Sequence, residues 1–330
     1  MKEKVPIGTQ MTQASDPTAQ APTHHVYWRL NQNCNFDCSY CFREGVDPYR
    51  RQQHPDCGRY SADQLAGFFD ATGFRWRILL TGGEPFIYPG VIELAVALTR
   101  NHELSINTNL STANVRAFAD SVSPHAVHTI YASLHLAERE KIPGGPARFL
   151  ESILLLQDRG FNVRLVYVAY PPLFPRLLAD KELYEQQGVR HFSIKTFRGV
   201  YAGKMYPRSH TAEERAFIRQ HSISRYEPDT VDERLGFFGK RCASGQSAFQ
   251  MDASGNLTRC NTIGTSYGNL FAGTHRFDRH PRPCPIRKCG CPYQGLRYAQ
   301  AESAGWPSVL REVLAHVPRR ALRRGLMVFR

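Results

Sequence analysis

Along residues 25–200 the apolar positions fall into short runs that change period repeatedly. HHVYWRL (24–30) carries Val, Tyr and Trp in one short run and predicts a strand. SADQLAGFFDAT (61–72) spaces its apolar residues as a helix does, with Ser61 placed as the N-cap. The alternation continues. RWRILLTGG, LSINTNL, VHTIYASLH, FNVRLVYVAY and VRHFSIKTF predict strands. YPGVIELAVALTR, STANVRAFADS, PARFLESILLLQDRG and FPRLLADKELYEQQG predict helices, with Ser111 or Thr112 capping the second of these and Gly160 and Gly188 closing the last two. About six βα units result, each long enough for a parallel crossover. Alternation of this kind means a parallel sheet with helices outside.

A barrel and a flavodoxin-like doubly wound sheet both satisfy that order. The polar groups favour the barrel. Cys34–Cys41, Gly82–Glu84, Asn109, His135 and Lys195 all fall at or just past strand C-terminal ends, which in a βα barrel share one rim. The expected fold is a partial (βα)6 TIM-type barrel followed by a small cysteine-rich domain. The expected boundaries are a disordered leader over 1–24, a core over 25–220, an auxiliary domain over 221–300 and a basic helical tail over 301–330.

Composition changes the picture little. The chain has 330 residues, 42% of them hydrophobic, enough for one large domain and a smaller one. No run reaches the length of a membrane span, and the first residues have no apolar stretch of the secretory kind. Nine cysteines in two groups, with Cys57 alone between them, do not read as a secreted disulfide framework. Cys57 reads as an exposed free thiol. A reducing cytoplasmic location is therefore expected. The net charge of +13 is partly local, because the last 24 residues hold six arginines against Glu312. Those residues read as a cap on the core, with an anionic membrane surface or RNA as the other options.

The chemistry concentrates in NCNFDCSYCF, which sets Cys34, Cys38 and Cys41 in the order C-x3-C-x2-C. Soft thiolates select zinc, copper(I) or iron–sulfur clusters. Three ligands, not four, suggest a centre that keeps one position open. The plain alternative is a zinc knuckle that borrows His24, His25 or His54. Further on, TGGEP supplies Gly82, Gly83 and Glu84, where two glycines permit close approach to a ligand. Asn109 can donate and accept. Lys195 and Arg198 leave the sixth strand and could bind an anion.

The triplet, with aromatic Tyr40 before its last cysteine, resembles the signature of the radical S-adenosylmethionine (SAM) superfamily, and the Gly82–Glu84 motif after the second strand strengthens the likeness. That resemblance implies an open six-unit barrel. It also implies a 4Fe–4S cluster on Cys34, Cys38 and Cys41, with SAM at the fourth iron. Tyr40 would contact the adenine, Gly82–Glu84 the methionine amino group, and Ser133 the SAM. Asn109 suits a ribose hydroxyl or carboxylate, and His135 would lie nearer the substrate.

Cys242, Gly255 and Cys260 follow a C-x12-G-x4-C pattern that looks like the start of a SPASM or shortened twitch domain. QMDASGNLTRC reads as a hairpin that returns Cys260 toward Cys242. With Cys284, Cys289 and Cys291 the group has five thiols, and its last spacing departs from the family's run. One auxiliary 4Fe–4S cluster is expected, on Cys242, Cys260 and two of the other three; a zinc site is the alternative.

The expected activity is reductive cleavage of SAM and hydrogen abstraction from a small-molecule or sugar-like substrate, with an oxidative outcome. The expected electron donor is of flavodoxin or ferredoxin type. Nucleic acid is not expected as a partner. The leader looks too short for a peptide-recognition domain, which favours the small substrate over a peptide. A non-catalytic iron–sulfur or zinc relay is the reading from another class. A relay would not need Gly82, Gly83, Glu84 and Asn109.

Overall fold

The computed structural model describes residues 23–41, 52–222, 227–234, 236–287, 289, 299–303 and 306–316. The strands β1 (His24–Asn31), β2 (Trp76–Gly82), β3 (Glu103–Thr108), β4 (Val127–Ser133), β5 (Val163–Ala169) and β6 (Phe192–Thr196) lie side by side in sequence order, all parallel. Between them run α1 (Ala62–Asp70), α2 (Val91–Thr99), α3 (Asn114–Ser121), the short α4 (Leu136–Arg139), α5 (Gly145–Asp158) and α6 (Leu177–Gln186). Over β1–β6 the order never reverses, as in an open barrel and unlike a doubly wound sheet. The expected partial barrel is what the chain adopts.

Local sequence explains most of the boundaries. Ser61 caps α1 in a reciprocal box with Gln64. Gly160 and Gly188 take left-handed backbone after α5 and α6. The cap of α3 differs from expectation. The helix starts at Asn114 behind Ala113, with no side-chain cap. The Ser111 hydroxyl instead accepts a bond from Asn35 Nδ2 at 2.7 Å, so it is committed to the cysteine loop.

Beyond β6 come the hairpin β7 (Gly199–Tyr201) and β8 (Lys204–Tyr206), then α7 (Ala212–His221) and α8 (Glu227–Val231). The last region holds β9 (Lys240–Cys242), β10 (Ala248–Met251), β11 (Asn256–Thr258), β12 (Ser266–Asn269), β13 (Arg282–Pro283), β14 (Ala299–Ser303) and the helix α9 (Trp306–His316). The boundary expected near residue 220 does not separate two sheets. Strand β10 pairs in parallel with β1, His25 opposite Ala248 through Trp28 opposite Met251, and the hairpin β10–β11 and strand β12 extend the barrel sheet. Every residue of β10 is buried, and Phe249 joins the same core as Trp28 and Trp76. Among the described residues β13–β9–β14 forms a separate small sheet, as does the β7–β8 hairpin.

The hairpin turn is the expected Ala-Ser-Gly. Asp252 Oδ1 accepts from the amides of Ser254 and Asn256, and Gly255 sits at φ +85, with the Phe271 ring where a side chain would go. Cys57 packs against the main core and is half-buried, not exposed as expected, and burial pushes its thiol pKa up. The expected leader (except for 23–24), residues 42–51 of the long loop, Cys291 and the tail beyond 316 fall outside the described residues. Among the described residues no helix is long and apolar enough to cross a membrane.

Candidate active site at the barrel mouth

The loop after β1 carries Cys34, Cys38 and Cys41, none of them in a disulfide, with Cys38 buried and the other two half-buried. This loop is laced to the ends of four neighbouring strands. At β2, Gly83 N donates to Asn31 O at 2.6 Å, Glu84 N to Asn33 O at 2.9 Å, and Asn31 Nδ2 to Glu84 O at 3.2 Å. At β3, Asn109 Nδ2 donates to Asn35 Oδ1 at 3.0 Å. Past β4, Asp37 N donates to Glu138 Oε2 at 3.2 Å, and Tyr40 Oη bonds His135 Nδ1 at 2.9 Å. Past β5, the hydroxyls of Ser39 and Tyr170 pair at 3.1 Å. Cysteines far from β2–β5 in sequence thus acquire a fixed seat on the barrel rim.

The two glycines serve that seat directly. A Cβ on Gly82 would stand 1.7 Å from Asn31 O, and one on Gly83 would stand 1.9 Å from Asn33 O. Their smallness is used on the chain's own backbone. Glu84 is likewise turned inward, 1% exposed. Its Oε1 accepts from Phe86 N and Thr108 Oγ1, and its Oε2 from Asn109 N at 2.6 Å. Burial raises its pKa and these three bonds oppose the rise. The carboxylate therefore joins the end of β2 to the end of β3. Asn109 is also committed, since its Oδ1 caps the amide of Ser111 at 3.0 Å.

Around the loop stands an aromatic wall. Tyr40 packs on Tyr170 at 4.6 Å and on His135 at 5.9 Å, and Phe197 and Tyr201 close on Tyr170. Burial, and after it the neighbouring Cys38, raises the Tyr40 pKa, so the phenol keeps its proton. Burial first, then Arg139 and Lys195, lowers the His135 pKa to about 4, so its imidazole is neutral at pH 7. His135 takes left-handed backbone (φ 44), as does Leu110 (φ 52), each just past a strand. Lys195 is half-buried on β6. Arg198 turns away, donating to Thr230 on α8 at 3.2 Å. Ser133 ends β4, and its carbonyl accepts from Arg139 Nη2 at 3.5 Å.

Arg139 is the residue that sequence reasoning missed. It is 2% exposed, donates to the carbonyls of Leu134 and Asn109, and lies 3.9 Å over the Phe149 ring. Burial lowers its pKa to about 10, which leaves it cationic. Its only sequence signal is a charge at the end of the short helix α4, six residues past the end of β4. Glu138 and Tyr170 were missed for the same reason: their partners lie a hundred or more residues away in sequence.

The second cysteine group also converges. Cys242 in β9 and the 282–284 segment lie on adjacent antiparallel strands, Arg282 opposite Cys242. Burial raises the Cys284 pKa to about 11, and Cys242 and Cys260 are near enough to add to the rise. Cys289 packs against the small apolar cluster of Phe237 and Cys284. Among the described residues no three His, Cys, Asp or Glu side chains stand as close as the ligands of one metal ion. A 4Fe–4S cluster takes each thiolate on a different iron, so its ligands are spread more widely than those of one ion. Both donor sets are thiols, the softness such clusters select, and on that chemistry both fit.

Residues 28–177 match the family model described as the radical SAM superfamily. A GTP 3′,8-cyclase of Brucella ovis is 28% identical over 165 residues, 47% of this chain and 46% of that protein. The same-named protein of Nostoc punctiforme is 37% identical over 84 residues, 24% of this chain and 25% of its own. The chain thus spans less than half the length of the curated relatives it matches. Among solved structures, native anSMEcpe with bound AdoMet superposes with a TM-score of 0.53 at 12% identity, over 75% of this chain and 78% of that one. Streptococcus suis SuiB bound to S-adenosylmethionine gives 0.54 at 16% identity, over 76% and 64%. At such identities the likeness is one of fold. Residues 28–177, somewhat under half of the chain, thus carry the pattern of the radical SAM superfamily, whose cofactors are a 4Fe–4S cluster and S-adenosylmethionine.

Proposed function

We propose that this protein is a radical SAM enzyme that takes a hydrogen atom from a small or sugar-like substrate at the barrel mouth. The observation that carries the reading is the three-thiol loop tied to the ends of β2, β3, β4 and β5. Cys34, Cys38 and Cys41 would hold the first cluster. When bound with SAM, that cluster supplies the electron that breaks a carbon–sulfur bond and releases a 5′-deoxyadenosyl radical.

The chain's own part is positioning and exclusion of water. The Gly82–Glu84 turn holds the cysteine loop in place. Because the Glu84 carboxylate is already engaged, contact with a SAM amino group falls to the backbone carbonyls of this turn. Tyr40, protonated and stacked, offers a flat face for an adenine. Neutral His135 is bonded to Tyr40 and near enough to Lys195 to feel its charge, and the rings of Tyr170, Phe197 and Tyr201 suit the C–H faces of a ring-shaped substrate. Cys242, Cys260 and two of Cys284, Cys289 and Cys291 would hold an auxiliary cluster, able to accept the electron left on the substrate. Ser133, Asn109 and Arg198 would act by supporting this frame.

Two observations support a peptide substrate as the second reading. The SuiB structure bound to precursor peptide SuiA shares the fold over 76% of this chain. The β7–β8 hairpin also carries the exposed pair Val200 and Met205. A non-catalytic relay loses its simplest discriminator, because Gly82, Gly83, Glu84 and Asn109 are all needed by the fold itself.

Anaerobic incubation with reductant and SAM decides between enzyme and relay. 5′-Deoxyadenosine is expected from the intact protein and not from Cys38→Ala. No 5′-deoxyadenosine from a protein with its full iron content would overturn the proposal.

A further inference from the structure

Arg259 directly precedes Cys260 and is 1% exposed, the most deeply buried arginine among the described residues. Its guanidinium donates to three carbonyls on two other segments. Nε reaches Ser244 O, two residues past Cys242, at 3.1 Å. Nη2 reaches Pro283 O, next to Cys284, at 3.0 Å, and Arg282 O at 3.3 Å. Nη1 meets Glu312 Oε2 on α9 at 3.1 Å. Glu312 is 5% exposed, and its other oxygen takes Arg282 Nε at 2.5 Å. The segments bearing Cys242, Cys260 and Cys284 therefore meet at one cation, and α9 supplies its counter-charge.

A planar guanidinium with five donors can bind three carbonyls and a carboxylate in fixed directions, and an ammonium cannot. A buried cation needs a partner, since an unpaired charge in that position is costly. Arg259 lies just past the end of β11, and among the described residues its guanidinium bonds to the cysteine-bearing segments and α9.

We propose that Arg259 is the positioning residue of the auxiliary cysteine site, holding Cys242, Cys260 and Cys284 in register, and that Glu312 sets the net charge beside that site. This rests on the auxiliary-cluster reading above. It adds α9, a helix with no cysteine, to the parts that determine how that site behaves.

The test uses the full chain reconstituted anaerobically, with iron content, electron paramagnetic resonance and redox titration as readouts. The intact protein should hold about eight irons, two 4Fe–4S clusters. Arg259→Lys keeps the charge but not the fork, and should hold about four irons, losing the auxiliary signal while the first cluster and 5′-deoxyadenosine formation persist as the internal check on folding. Glu312→Gln should keep its iron and shift the auxiliary midpoint potential upward, because an uncompensated cation favours the more negative reduced state. Glu312→Asp should restore the potential. Full iron in Arg259→Lys together with an unmoved potential in Glu312→Gln would overturn the positioning role alone. About four irons in the intact protein, unchanged by Cys242→Ala, would overturn the auxiliary cluster and this inference with it.

Discussion

Glu84 shows how one side chain can be committed to the fold of a site. Its carboxylate is the shared acceptor for Phe86, Thr108 and Asn109. Replacing it by Gln puts an amide N–H against one of those donors. We expect Glu84→Gln to lower stability by about 2 kcal/mol, read as a fall in the urea midpoint. His24 makes a second prediction. It stacks on Phe74 at 3.8 Å, and burial holds its pKa at about 4, below the usual 6.5. The unfolded chain therefore takes up a proton near pH 6.5 that the folded chain refuses until about pH 4. The contribution is fully present above pH 6.5 and declines as pH falls through that window, by up to about 3 kcal/mol. Urea unfolding at pH 7 and 4.5 checks this, and His24→Phe should flatten the difference.

The junction of β1 and β2 is the element on which the site depends. Gly83 has Asn33 O where its Cβ would be, so Gly83→Ala must push the 31–34 backbone aside. We expect that variant to keep its helical signal by circular dichroism and to lose the iron held by the first cysteine group. Equal iron in variant and parent would show that the loop tolerates the shift. The glycines and the cysteines were legible in the sequence as motifs. Their mutual contact was not, because close approach of two backbones depends on strand register, and no spacing rule reports register. The α3 cap illustrates the same limit. Ser111 has the chemistry of an N-cap, but Asn35, brought near by the cysteine loop, competes for its hydroxyl.

At the scale of the whole molecule, the C-terminal region is part of the barrel. Strand β10 covers the edge of β1, and Phe249 and Met251 are fully buried against the core. A chain ending at residue 220 would expose that edge and the apolar surface beside it, a template for aggregation. We expect that fragment to be insoluble or to melt well below the full chain, and the full chain to unfold in one cooperative transition by calorimetry. A soluble, stable fragment would mean that the barrel completes itself without β10.

Residue order alone determined the alternation of strands and helices, the position of the cysteine triplet after the first strand and the hairpin that leads into Cys260. These are local properties, written in period, turn chemistry and short spacings. Tertiary structure decided what joins across distance: β10 against β1, Arg139 under the ends of β3 and β4, and Arg259 between the auxiliary cysteines and α9. A buried charge or a sheet edge finds its partner only when the chain closes, and that partner carries no mark in the neighbouring sequence.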